Sequence, residues 1–161
     1  MSIDAVQYRR ALGSWATGVT IVTARAGSEV HGMTVSDFVG VSLDPPLVAV
    51  CVDQAAHTRK RIQEGGCFAV NILAAGQESL ASRFASKVQE WQRFEGLDCA
   101  EATTGAPLIP GAHVSLDCRL EGTHEGGDHL ICVGRVEAVV QRDLEPLLHY
   151  AGAYRRLASE D

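Results

Sequence analysis

The chain has 161 residues, 46% of them hydrophobic, which suits one domain spanning residues 1–161 around a single real core. Its formal net charge of −6 argues against a nucleic-acid partner, whose phosphate backbone demands basic surface. No apolar run approaches the roughly 18 to 20 residues of a membrane span, and MSIDAVQYRRALGSW lacks a signal peptide's apolar centre, so no membrane association is expected.

Residues 2 to 16 read as an amphipathic helix, with Ala5, Tyr8, Leu12 and Trp15 at spacings of three and four and Gly18 as its end. The β-branched run Val19 to Thr23 predicts a strand, Ala26-Gly27-Ser28 a turn, and Val30 to Thr34 the hairpin partner. Asp44-Pro45-Pro46 interrupts the chain before the buried strand Leu47 to Val52. A short helix follows at Thr58 to Glu64, with Thr58 as N-cap and Gly65 as stop. Cys67 to Leu73 reads as a buried strand, and Gln77 to Ala85 as a helix pinned by Leu80 and Phe84. His113 to His124 alternates, with Val114, Leu116, Cys118 and Leu120 on one face and Ser115, Asp117, Arg119 and Glu121 on the other. Glu125-Gly126-Gly127-Asp128 turns the chain into a return strand from His129 to Arg142. This order predicts a mainly β barrel with short helices, not alternating βαβ units.

Candidate chemistry is sparse. There is no GxGxxG after a strand, no GxxxxGK[ST] and no GxSxG elbow, so any nucleotide must be held by other means and no serine hydrolase is indicated. His124 and His129 flank a Gly-Gly turn at a generic spacing without a carboxylate motif, and His31 and His113 read as polar strand ends, so no metal is expected. Five cysteines (Cys51, Cys67, Cys99, Cys118 and Cys132) form no CxxC pair, which reads as reduced thiols in a cytoplasmic protein. Arg59-Lys60-Arg61 reads as a solvated helix face, unless the helix opening at Thr58 serves as an anion site. The stretch HGMTVSDFVGVSLDPPLVAVCVD, residues 31 to 53, gathers small and hydroxyl side chains ahead of an apolar strand. Either a polar turn or a ligand lying flat on the backbone would require that.

ALGSWATGVTIVTA, HGMTVSDFVGVSLDPPLVAVCVD, FAVNIL, RFAS and GGDHLICVGRVEAV stand in this order from about residue 7 to about residue 155. Together they resemble the short-chain flavin reductase family, the reductase components of two-component flavin-dependent monooxygenases. The resemblance implies an FMN-binding split barrel, usually a homodimer, that moves a hydride from NADH or NADPH to FAD or FMN and releases reduced flavin to an oxygenase. It implies that Thr34, Val35, Ser36 and Asp37 lie along the isoalloxazine. Val41 and Ser42, with Asp53, Ala56, His57 and Thr58, would hold the ribityl and phosphate parts. Phe84, Ala85, Ser86 and Lys87 would cover the rest of the nucleotide, with His129 on the nicotinamide side and Tyr154 nearby. Family members often carry serine at the positions of Asp37 and Gly40, so Asp37 either disfavours the reduced, anionic flavin or points to solvent. A flavin carrier or redox sensor on the same barrel, and an oxidase of a pyridoxal-type phosphate, are the competing readings.

Overall fold

The computed structural model describes residues 3–88 and 90–158. Helix α1 (Ala5–Leu12) precedes strands β1 (Thr17–Gly18), β2 (Thr20–Ala26), β3 (Glu29–Val35), β4 (Phe38–Leu43) and β5 (Pro46–Asp53). Helix α2 (His57–Gly65), strand β6 (Cys67–Ile72), helix α3 (Glu78–Ala85) and a short 3₁₀ turn (Glu90–Gln92) follow. The chain ends in the long hairpin β7 (Val114–Gly126) and β8 (His129–Gln141) and the short strands β9 (Leu148–Tyr150) and β10 (Ala153–Arg155).

Seven strands form one antiparallel sheet in the order β3-β2-β6-β7-β8-β5-β4, while β1, β9 and β10 form a small second sheet. Among the described residues no ladder joins the two edges, β3 and β4, so hydrogen bonding does not close a barrel. The sheet is strongly curled nonetheless. Val22, Ala24 and Val35 from one end share a single buried cluster with Val48, Val50 and Val52 from the other, together with Ile62, Phe68, Cys118 and Cys132. Fully burying a Phe or Ile side chain contributes about 1.5–3 kcal/mol, and Phe68 and Ile62 are both completely inaccessible. Burial pushes the Cys118 thiol up to about 12 and the Cys132 thiol up to about 11, so both stay protonated and pack as apolar groups.

Several sequence expectations need correction. The first helix stops at Leu12 with Gly13 as its C-cap, and Gly18 belongs to β1. Its apolar stripe buries nothing: Tyr8, Leu12 and Trp15 remain exposed. Thr58 is not an N-cap, because α2 begins at His57 and its N-cap, Ala56, has no side-chain hydrogen bond to offer. Arg59, Lys60 and Arg61 pair along the helix with Gln63 and Glu64, and Arg61 also meets Glu29. The polar face of β7 is not all solvated. Ser115 and Asp117 are buried, and a bulge after Asp117 puts Cys118 inside as well. Their partners come from the core and from the covering segment 98–112: Asn71 Oδ1 accepts from Ser115 Oγ at 2.8 Å and from the Ile109 amide at 3.0 Å, and Asp117 accepts from the amide and hydroxyl of Thr104. Both ends of the Asn71 amide are satisfied, as burial requires.

The two glycines ending α2 have separate causes. Gly66 takes a left-handed conformation (φ 66°) as the C-cap, whereas Gly65 is the last helical residue. A Cβ at Gly65 would lie 1.8 Å from the Arg25 carbonyl oxygen of β2, so the helix could not rest on the sheet. Gly65→Ala is therefore expected to destabilise the protein by about 3 kcal/mol, read as a lower urea midpoint with an unchanged slope. An unaltered midpoint would show that α2 does not depend on this close approach.

Candidate active site

The connection from β3 to β4 separates two cavities. The larger, about 720 Å³, is lined by Ser36, Asp37, Phe38, Cys51 and Ile131 and walled outside by Trp15 and Thr17. The smaller, about 220 Å³, lies beneath the start of α2 and the end of α3. Thr34, Asp53, Ala56, His57, Phe84, Ala85 and Lys87 line it, together with Met33, Glu90 and Arg93. Residues 34 to 37 thus run from one cavity to the other, with Thr34 lining the smaller and Ser36 and Asp37 the larger. Asp37 is exposed, and its carbonyl accepts from the Cys51 amide at 3.1 Å. Burial first, and the Asp37 charge second, push the Cys51 thiol up.

Other residues singled out by sequence lie elsewhere. Val35 is buried in the core, and its carbonyl accepts from Thr20 Oγ1 at 2.6 Å. Val41 sits at the β4 bulge and Ser42 pairs with Leu47; neither lines either cavity. Thr58 is fully buried in α2, and among the described residues its hydroxyl has no partner. Ser86 caps α3, and its carbonyl accepts from Arg93 Nη2 at 2.7 Å. Tyr154 packs at the second core cluster, with its hydroxyl 3.4 Å from Ser82 Oγ.

His129 pairs with Asp53 across β5 and β8, and its Nδ1 lies 2.7 Å from Asp128 Oδ1. That hydrogen bond, then the imidazole's charge, lowers the Asp128 carboxyl below its ordinary value. Gln54 ties this turn to the wall of the smaller cavity: its amide donates to the Asp128 carbonyl at 3.0 Å and its side chain to the Gly127 carbonyl at 2.9 Å.

Two residues missed by sequence reading, Glu90 and Arg93, dominate the smaller cavity's electrostatics, and a third, Trp91, packs nearby. Arg93 is buried, and its Nη1 donates to the Gly32 carbonyl at 2.7 Å. Glu90 lies 3.1 Å from His57 Nδ1, 3.5 Å from Arg93 Nη1 and 3.7 Å from His31 Nδ1. Trp91 stands edge-on to His31 at 5.1 Å. No periodic signal marks this segment; its one trace is the i,i+3 spacing of Glu90 and Arg93. The cavity carries cationic groups at Lys87, Arg93 and, when protonated, His57, against carboxylates at Asp53 and Glu90. Small walls (Ala55, Ala56, Ala85) and an α2 N-terminus without a side-chain cap would admit a phosphate ester, and the buried hydroxyl of Thr58, without a partner among the described residues, follows within the same first turn.

A family model described as "Flavin reductase like domain" matches residues 12–158, and the chain belongs to this family. It is 42% identical over 161 residues to the NADH-dependent FAD reductase of Streptomyces globisporus, covering 98% of this chain and 88% of that one. It is 38% identical over 154 residues to the reductase subunit of a flavin-dependent monooxygenase of Rhodococcus jostii, covering 95% and 78%. A crystal structure of the Streptomyces globisporus NADH:FAD oxidoreductase with NAD and FAD fragments superposes with a TM-score of 0.89 at 42% identity, covering 96% of this chain and 93% of that one.

Burial, the leading cause, lowers the His31 imidazole below its ordinary value of 6.5; Glu90 opposes it, while His57, Arg61 and Arg93 reinforce it. The unfolded chain therefore binds more protons at this site than the folded one below about pH 6.5, and stability is lost as pH falls through that window. His31→Gln is expected to flatten this acid-side loss, measured as the urea midpoint at stepped pH. Parallel curves for the two proteins would remove His31 from the acid response.

Proposed function

We propose that this chain is an NAD(P)H-dependent flavin reductase that transfers a hydride from NADH to FAD or FMN and supplies reduced flavin to a partner flavin-dependent monooxygenase. The observation that carries it is the near full-length relationship, at 42% identity, to an NADH-dependent FAD reductase. Relatives named as reductase subunits of monooxygenases support the partner. Bound flavin accepts the hydride by its own chemistry, so the protein's task is orientation and charge balance. This agrees with a site that offers backbone, cations and one rim histidine.

Residues 34 to 37 lie along the flavin ring system between the two cavities, and Asp53, Ala56, His57, Phe84, Ala85 and Lys87 surround its phosphate end. Val41, Ser42, Val35 and Ser86 contribute at most through the backbone or through neighbours. His129, held by Asp128 and by the Gln54 clamp on its turn, faces the nicotinamide. Nicotinamide stacked on the flavin brings donor and acceptor into a near-attack arrangement, the main source of acceleration.

A split barrel in one domain over residues 1–161 is supported by the core shared between both ends of the curled sheet. A homodimer is supported by exposed apolar side chains on α1 and β4, among them Leu12, Val39, Val41 and Leu43, with Trp15 beside the larger cavity. A cytoplasmic site is supported by five free cysteines. Among the described residues no helix is long and apolar enough to cross a membrane.

NADH oxidation measured with FAD, with FMN and without added flavin tests the activity, and flavin-independent NADH oxidation or none would contradict it. His129→Ala is expected to raise KM for NADH or slow hydride transfer about ten- to a hundredfold while flavin affinity moves far less. Steady-state kinetics varying each substrate separately reads this. Unchanged NADH kinetics, or equal damage to flavin binding, would place His129 outside the nicotinamide pocket.

A further inference from the structure

We propose that Glu90 is an internal stand-in for the flavin's phosphate, occupying the anion subsite of the smaller cavity in the free protein and weakening its hold on phosphorylated flavin. The proposal rests on the reading of that cavity as the phosphate end of the flavin site.

Three side-chain nitrogens face Glu90, and only one of them meets it at good hydrogen-bonding distance. Oε2 faces His57 Nδ1 at 3.1 Å, while Oε1 faces both Arg93 Nη1 at 3.5 Å and His31 Nδ1 at 3.7 Å. The last two distances are too long for good hydrogen bonds. Among the described residues His31 Nδ1 and Arg93 Nε have no hydrogen-bond partner, although both side chains are only 5% exposed. The Arg93 Nε–H is a buried donor, and one left unmade is costly and calls for an acceptor. A phosphate ester presents three oxygens in a tetrahedral array, against two in a plane from Glu90. The adjoining α2 N-terminus, with Ala56 as an inert cap, also favours an anion there.

Glu90 is mounted so that it can leave. It sits in a 3₁₀ turn with no buried residue, flanked by Val88 at 93% and Trp91 at 73% exposure. The segment is pinned behind it, where Arg93 holds Gly32 and Ser86 and Arg83 holds the carbonyls of Gln92 and Glu95. A charged carboxylate and a phosphate dianion cannot share these donors at contact distance, because like charges in a partly desolvated cavity repel strongly. Flavin entry must therefore displace Glu90, and Glu90 competes for its return. An enzyme that gives its reduced flavin away gains from a competitor that never diffuses off.

The test is a titration of wild type, Glu90→Gln and Glu90→Ala with FMN and with riboflavin, which lacks the phosphate, alongside thermal unfolding to confirm that each variant is folded. Both variants are expected to bind FMN about five- to tenfold more tightly than wild type, with riboflavin affinity within about twofold. Weaker FMN binding, or an equal change for both ligands, overturns the proposal. If wild type and both variants fail to distinguish FMN from riboflavin, the cavity is not the phosphate site, and the underlying reading falls with the proposal.

Discussion

The candidate site depends on one buried cation. β3 is an edge strand, and the Gly32 carbonyl takes a donor from outside the sheet. Arg93 supplies it at 2.7 Å and reaches the Ser86 carbonyl at the end of α3 with its other amino group. One guanidinium thereby joins the sheet edge, the end of a helix and the segment that roofs the smaller cavity. Glycine at position 32 is part of the same arrangement. A Cβ there would come within 2.9 Å of the Phe84 ring and 3.2 Å of Phe94, two aromatics packed edge-to-face behind the cavity. Burial lowers the Arg93 pKa and Glu90 partly restores it, and a buried guanidinium has to be matched by acceptors.

The fold explains why the site needs so little dedicated chemistry. Curling brings the ends of β3 and β5 beside the starts of α2 and β8, so short polar turns from distant parts of the chain meet at one rim. Asp53 and His129 are register partners, and Gln54 fastens the turn before His129 to the loop that lines the smaller cavity. Positions that would touch a nicotinamide and positions that would touch a flavin phosphate are thus fixed relative to each other by backbone pairing. Rigid placement is what a hydride transfer between two bound cofactors requires.

Strands were the most legible part of the sequence. The β2–β3 hairpin, β5, β6 and β8 follow from β-branched runs and turn residues whose local preferences agree with their burial. Failures came where tertiary contacts decide. The stripe on α1 looks like a buried face but covers nothing among the described residues, and Thr58 has the chemistry of an N-cap yet is the second residue of the helix. Ser115 and Asp117 read as solvent-facing because nothing in β7 itself reports that segment 98–112 folds over them. In the site, the motifs around residues 34, 53 to 57 and 84 to 87 converge on one cavity, but Glu90, Trp91 and Arg93 were invisible. They lie in an irregular segment where neither periodicity nor a motif marks a residue as buried, and only the edge-strand carbonyl it meets explains the arginine.

The central claim is that flavin spans the two cavities with its phosphate end beneath the Glu90 segment. A crystal structure of the protein with oxidised FMN tests it most directly. The account predicts a phosphate within hydrogen-bonding distance of the α2 N-terminus and Lys87, Glu90 displaced, and the ring system against residues 34 to 37. A phosphate bound elsewhere, with the smaller cavity unchanged and Glu90 still on His57, would contradict it.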